Sequence, residues 1–436
     1  MRKIKIKISP FAKILMSFLI IILIGAVLLA LPTSSTGEPL NVLDALFMAT
    51  SAVSTTGLSV VGDLAVDLTF FGQFVMLILM VLGGIGVLSF TTFFFMIIGA
   101  KLDMADRYLI REMWNVDSTK GVVKLVRNIV LIAVGVQVLG AIANFCILLK
   151  YFEAGDALWK GIFHSVAAFN NAGFDIFGEV SMIDYRGDVL LNLSTMILII
   201  IGGIGFVTIF DVLKNKWWKK FNLNTKVTLM MAPVLIITGG LLIKFCMWNE
   251  FTWLQSFFTS VSSRSTGFST FDMSKINSAV YLLIVALMFI GASPCSTGGG
   301  IRTTTLLVVL LTMIKYPTGK KPVIFKRTLS SITIRKAVSL FIFSVAYVFI
   351  SSFLIAVFDP ALSPKDILFE VVSAFTTTGF NIGITQSFSV GSKIILIMAM
   401  LFGRIGTFTI LNVANNKWLA QEHSEIEYAE ERVIVG

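Results

Sequence analysis

SAVSTTGLS (51–59), AAFNNAGFD (167–175), SSRSTGFST (262–270) and SAFTTTGFN (373–381) are four versions of one motif, centred on Gly57, Gly173, Gly267 and Gly379. A motif returning about every 100 residues is an internal repeat. A second motif follows each copy 24–29 residues later: LGGIG (82–86), IGGIG (201–205), IGASPCSTGGGIR (290–302) and FGRIG (402–406). Before each glycine lies a semi-apolar stretch of 10–14 residues: 41–53, 156–169, 252–262 and 364–375. Such a stretch is too short to cross a bilayer, which takes ~20 residues, and suits a re-entrant helix. Asn41 and Asp156 are candidate N-caps, and Ser363-Pro364 reads as an N-cap with proline at the first helical position. Long apolar runs begin near Phe11, Thr69, Val122, Val189, Val227, Ala279, Ala337 and Lys393. The pattern predicts an all-α polytopic membrane protein of four tandem units, each helix, short pore helix, glycine loop, helix. Fourfold pseudosymmetry about a central pore follows. The units are 1–100, 101–214, 215–315 and 316–420, with a tail at 421–436.

Composition agrees with that reading. Of 436 residues, 56% are hydrophobic and 14% charged, against about 25% charged in soluble domains. So few charges cannot cover a water-soluble globule, which excludes a soluble enzyme, a disulfide scaffold and a disordered chain. The net charge is +10, and 25 of the 35 Lys and Arg fall in alternate connections: 2–13, 101–127, 214–226, 315–336 and the tail. The opposite face carries 15 of the 25 carboxylates. This positive-inside distribution places both termini in the cytoplasm, and such a face meets anionic lipid rather than nucleic acid. Cys146, Cys246 and Cys295 lack metal-ligand spacing and read as small hydrophobes. The apolar run from Phe11 to Leu31 lacks a small-x-small cleavage site and reads as a retained helix, not a signal peptide.

Irregular backbone at membrane depth is tolerated only where protein buries it or water bathes it. Four matching loops imply one shared site, with each short helix turning its partly negative C-terminus toward it. The loops carry Ser, Thr, Asn and Gly and almost no carboxylate. They suit a filter of backbone carbonyls for a partly dehydrated monovalent cation, since a divalent ion would want carboxylates. Asn170 and Asn171 read as scaffold support, not ion ligands.

The four-unit arrangement, with NNAGF in the second loop and the arginine-containing RSTGF in the third, resembles the potassium transporter superfamily of the bacterial Ktr and Trk systems and the plant HKT proteins. Compact length and the lack of an extra helical pair before the first unit make it most similar to the Ktr-type membrane subunits (KtrB and KtrD). The resemblance implies a channel-like K⁺ uptake subunit for the cell membrane, in a homodimer with one pore per chain. It also implies a cytoplasmic ring of RCK-type subunits (KtrA or KtrC-like) that bind ATP or ADP. No cofactor is expected in this chain. Carried over by motif, the filter is Thr55, Thr56, Gly57, Asn171, Ala172, Gly173, Ser265, Thr266, Gly267, Thr377, Thr378 and Gly379. In the family, serine at the first of these glycines accompanies Na⁺ selectivity, so Gly57 favours K⁺. Na⁺ dependence, or a secondary symporter selective for Na⁺, stays open on the sequence.

Where the other units have GGIG or GRIG, the third has Gly291, Ala292, Ser293, Pro294, Gly298, Gly299 and Gly300 within residues 291–302. So many glycines with a proline break a helix. The resemblance implies a gating loop there. Arg404 lies in an otherwise apolar helix, where an uncompensated charge costs ~2.5–3.5 kcal/mol on insertion scales. It is expected to face the pore below the filter and to hold the loop through its carbonyls, opposite the only broken helix. Arg264 is expected to support the third filter loop through a carboxylate such as Glu370. Arg302 is expected to mark the cytoplasmic end of a helix. His164 reads as a hydrogen-bonded structural residue. The acidic tail is expected to contact the dimer partner. Alternating-access transporters usually carry inverted repeats and charged midplane residues, which do not fit four units of one topology. No Ser/His/Asp set or HExxH indicates an enzyme.

Overall fold

The computed structural model describes residues 10–86, 89, 121–178 and 181–406. The boundary expected at 100/101, the N-terminal lysines, most of the basic 101–127 segment and the acidic tail lie outside them. The described chain is helical, with one two-residue hairpin at Val323–Ile324 and Arg327–Thr328. In chain order the helices are α1 (Pro10–Leu29), α2 (Val42–Ser54), α3 (Phe70–Ile85), α4 (Val122–Leu148), α5 (Ala154–Phe169), α6 (Val189–Ile204) and α7 (Phe206–Asn215). They continue with α8 (Leu223–Cys246), α9 (Trp253–Ser262), α10 (Ser278–Phe289), α11 (Thr303–Lys315), α12 (Ser331–Phe358), α13 (Pro364–Thr376) and α14 (Val390–Ile405). A single turn at Leu64–Asp67 and several 3₁₀ turns fill the connections.

Among the described residues, four helices, α1, α4, α8 and α12, are long and apolar enough to cross a membrane. Their apolar outer faces stay exposed (Leu23, Val27, Leu139, Phe349), as expected where lipid is the solvent. Each is followed by a short helix whose middle and C-terminal half is buried: α2, α5, α9 and α13. Side-chain caps fix the starts of α2 and α9. The Asn41 side-chain oxygen Oδ1 accepts from Asp44 N at 2.8 Å, and Thr252 and Gln255 form a reciprocal capping box. Asp156 does not cap: α5 begins two residues earlier, behind Glu153, and Asp156 lies in the first turn, where a carboxylate favours the helix dipole. Ser363 is the N-cap residue of α13 but makes no side-chain cap bond; Pro364 opens the helix.

The packing order is cyclic. Helix α3 packs on α5, α6 on α9, α10 on α13, and α14 returns to α2. Trp159 donates from its indole to Gln73 at 2.7 Å across the first of these seams. Lys393 pairs with Asp44 at 2.6 Å across the last. Close approach at the seams and within each trio is achieved by glycine. A Cβ on Gly83 would fall closer than 3.0 Å to the Val53 carbonyl, one on Gly202 to that of Phe169, and one on Gly403 to that of Phe375. In each case the carbonyl belongs to the residue four before the loop glycine. The first glycine of the downstream motif is therefore a docking point for the end of the short helix. Gly403→Ala should cost about 1–3 kcal/mol, the usual range for overpacking a close-packed interior. A lowered melting midpoint of the purified protein in detergent checks this, with Gly135→Ala, which has open space around it, as the control.

The third downstream helix breaks as its composition demands. Helix α10 ends at Phe289, α11 starts at Thr303, and Ile290 bridges Ile301 to close the neck of an Ω-shaped loop. It is not the only broken helix. Helices α6 and α7 meet at 89° across Gly205, whose φ of +96° places it where glycine is favoured. The Phe206 amide there donates to the Cys295 carbonyl of the loop at 2.9 Å. The IGGIG motif looks continuous in sequence, but its last glycine takes the same positive-φ conformation as Gly86 and Gly406, which end α3 and α14, and the loop contact accompanies the bend.

Candidate functional site

Three of the four glycine loops leave their helices in the same way. Thr56, Ala172 and Thr378 each donate an amide five residues back, to Ser51, Ala167 and Ser373, at 2.8–2.9 Å. The residues before them, Thr55, Asn171 and Thr377, sit in left-handed conformation with φ of 54°, 55° and 51°. The third loop departs: Thr266 and Gly267 both donate to Ser262, and Ser265 is not left-handed. All four glycines have positive φ, +96° at Gly57, +66° at Gly173, +85° at Gly267 and +87° at Gly379.

These loops close a ring. A Cβ on Gly57 would fall closer than 3.0 Å to the carbonyl oxygen of Ala172. One on Gly173 would meet that of Thr266, one on Gly267 that of Thr378, and one on Gly379 that of Thr56. Each carbonyl belongs to the residue just before the next loop's glycine, and the sequence returns to its start. The twelve residues singled out in the sequence therefore lie in one assembly. The C-termini of α2, α5, α9 and α13 end at it, and their dipoles make it attractive to a cation. On one side the ring floors an open cavity of ≈ 470 Å³ whose wall includes Asp63, Asp175 and Asp272.

On the other side the ring meets the 291–300 loop. A side chain at Gly298 would strike Ser265, and one at Gly299 would strike Thr377. Arg404 donates to the carbonyls of Thr297, Gly83 and, at 3.1 Å, Gly84. It thus holds the loop through a carbonyl, and it clamps the end of α3 as well. Arg302 does stand at a helix end, as the N-cap residue of α11. Its guanidinium folds back onto Ser293, Ser296 and Gly298 of its own loop. Two residues central to this contact were not legible. Thr297 carries no charge or glycine signal, and Arg302 looks like any flanking arginine.

Arg264 is buried beside a small cavity of ≈ 20 Å³ lined by Asn171, Ser265 and Ala292. Among the described residues no carboxylate lies within ion-pair distance of it. Glu370 instead accepts from the Ile382 amide at 3.2 Å and the Thr385 hydroxyl at 3.1 Å. The expected Arg264–Glu370 tie is therefore not made: Glu370 holds the strand that leaves its own glycine loop. His164 bonds Thr195 at 2.8 Å between two phenylalanine rings, a packed structural setting. Asn170 bonds its own helix at Val166, whereas Asn171 bonds across to Thr297 and Thr266.

Apolar spans with exposed outer faces, packed around a buried ring of backbone carbonyls, define a membrane protein. The family model described as cation transport protein, TrkH, matches residues 8–425, and the chain belongs to this family of multi-pass transport proteins. It is 35% identical to Ktr system potassium uptake protein B of Bacillus subtilis, over 99% of this chain and 98% of that protein. It is 33% identical to the potassium/sodium uptake protein NtpJ of Enterococcus hirae, over 100% and 99%. The crystal structure of the potassium transporter TrkH from Vibrio parahaemolyticus superposes with a TM-score of 0.76, covering 96% of this chain and 87% of that one at 18% identity. That likeness supports the fold.

Proposed function

We propose that this chain is the K⁺-translocating subunit of a Ktr-type uptake system, built from four tandem units (1–100, 101–214, 215–315, 316–420) around a central pore. The ring of Thr56, Ala172, Thr266 and Thr378 carbonyls carries the reading, because it offers dipoles without fixed charge to a partly dehydrated monovalent ion. In this reading α2, α5, α9 and α13 are pore helices and residues 55–57, 171–173, 265–267 and 377–379 form the selectivity filter. The 291–300 loop, with Arg302 and Arg404, is the gate. The relatives named Ktr system proteins support a second component, here a cytoplasmic RCK-type ring that binds ATP or ADP, on a homodimer of this chain. The charge distribution supports cytoplasmic termini in a cell-membrane protein. The 421–436 tail is assigned to dimer contact. The relative named a potassium/sodium uptake protein supports Na⁺ dependence or symport as a second reading.

Expression in a bacterium lacking its own K⁺ uptake tests both readings. Growth at limiting K⁺ and Rb⁺ influx are expected, and Rb⁺ influx with and without Na⁺ separates them. Na⁺ influx without growth at limiting K⁺ would overturn the K⁺ assignment.

The outer cavity adds a pH dependence. Burial pushes the Asp175 carboxyl up to about 6, against the opposing hydrogen bonds from Ser181 and the Phe177 amide; nearby Asp63 raises it and Lys160 lowers it. Above that pH the carboxylate is charged and draws cations to the mouth; below it the charge is lost. The KM for Rb⁺ should therefore rise about threefold as external pH falls from 7 to 5, the scale of modest electrostatic focusing. Asp175→Asn should show the higher KM throughout, with a flat profile.

A further inference from the structure

We propose that Thr297 is a positioning residue for ion discrimination, tying the 291–300 loop to the glycine ring so that loop position and selectivity share one equilibrium. The proposal rests on the ion-conducting reading above and names the side chains that couple its two parts.

Thr297 is fully buried, and each of its polar atoms is engaged by a different segment. Its amide donates to the Gly202 carbonyl at 3.3 Å. Its carbonyl accepts from the Thr55 hydroxyl at 3.2 Å and from Arg404, which uses both lone pairs. Its hydroxyl accepts from Asn171 Nδ2 at 2.8 Å and donates to the Phe169 carbonyl at 3.2 Å. The Asn171 carbonyl oxygen then accepts from the Thr266 hydroxyl at 2.8 Å. A continuous path therefore runs from the loop, through the residue two before Gly173, into the third glycine loop. Thr266 is also the residue whose carbonyl faces Gly173.

A buried polar network is stable when complete and costly when half-made. If the loop swings aside, Asn171 loses its acceptor, and the two glycine loops it braces must relax. Discrimination between K⁺ and Na⁺ depends on the spacing and number of the ring's carbonyl dipoles. Displacing the loop should therefore lower selectivity as it raises passage. Loop and filter are coupled through side chains, not merely stacked.

The test compares wild type, Thr297→Val, Thr297→Ser and Thr266→Val as full chains in the K⁺-uptake-deficient bacterium, reading the ratio of Rb⁺ to Na⁺ influx. Valine keeps the shape and removes the hydroxyl. The ratio should fall about tenfold in Thr297→Val, which removes both hydrogen bonds of the hydroxyl and leaves the buried Asn171 amide without this acceptor. Thr297→Ser should restore it to within about twofold, because serine keeps the hydroxyl. Thr266→Val, which cuts the path outside the loop, should reproduce the loss, and the double valine variant should add little to either. An unchanged ratio with an altered Rb⁺ rate would mean that Thr297 only holds the loop. If Thr297→Val does not accumulate, Thr266→Val decides. A wild type that carries Na⁺ in preference to Rb⁺ would refute the K⁺ reading instead, so the two failures are distinct.

Discussion

Gly173→Ala should cut Rb⁺ influx by about 100-fold while leaving folded protein in the membrane, equivalent to raising the barrier by about 3 kcal/mol. Two costs combine. The residue sits at φ +66°, where a Cβ is disfavoured by roughly 1–2 kcal/mol. The added methyl also collides with the Thr266 carbonyl, a backbone atom that cannot turn away without leaving the ring. A flexible side chain could absorb such an overlap; a carbonyl fixed by its own loop cannot. Gly383→Ala separates the two terms, because Gly383 has φ +91° but nothing within 4 Å of a Cβ. It should lose little transport. Influx measured against the amount of protein in the membrane checks both. Equal loss in the two variants would show that backbone strain, not the ring, is responsible.

The next largest effect is expected at Arg404, in the opposite direction. Its guanidinium is satisfied by three carbonyls, Thr297, Gly83 and Gly84, and among the described residues no carboxylate pairs with it. The charge therefore stays uncompensated, and in the proposed reading it stands beside the ion path below the ring. A unit positive charge about 8 Å from a passing cation raises its energy by ~2 kcal/mol at an effective dielectric of ~20. Arg404→Gln removes that repulsion and frees the loop at Thr297. Rb⁺ influx should rise about tenfold or more and lose its dependence on a regulatory partner. Arg404→Lys keeps the charge but cannot reach three carbonyls with one ammonium. It should restore the barrier only in part. Unchanged influx and unchanged regulation in Arg404→Gln would remove Arg404 from the gate.

Much of the fold was legible because its chemistry is local. The ends of α2, α9 and α13 follow from caps, proline and the left-handed or turn residues beside the glycines. The break after Phe289 follows from glycine and proline content. What went unread was contact between distant segments. Asp156 lost the capping role to a start two residues earlier. Glu370 turned to its own loop rather than to Arg264, since the Ile382 amide and the Thr385 hydroxyl are nearer partners. At the bend after Gly205, the Phe206 amide meets the Cys295 carbonyl, 89 residues away, only in the folded chain. Thr297 is silent in the sequence because threonine in a small polar loop carries no signal until its five partners are assembled.

The sequence by itself determined the membrane setting, the four glycine motifs at near-equal spacing and the presence of one arginine in an apolar helix. These are properties of composition and period, and they hold for any arrangement of the units. Only the tertiary structure decided that each glycine abuts the carbonyl of the next loop, and that the 291–300 loop is pinned beneath them by Thr297 and Arg404. The reason is geometric. A ring closes only when the fourth unit returns to the first, as α14 does on α2 with Lys393 against Asp44. No interval along the chain encodes that return.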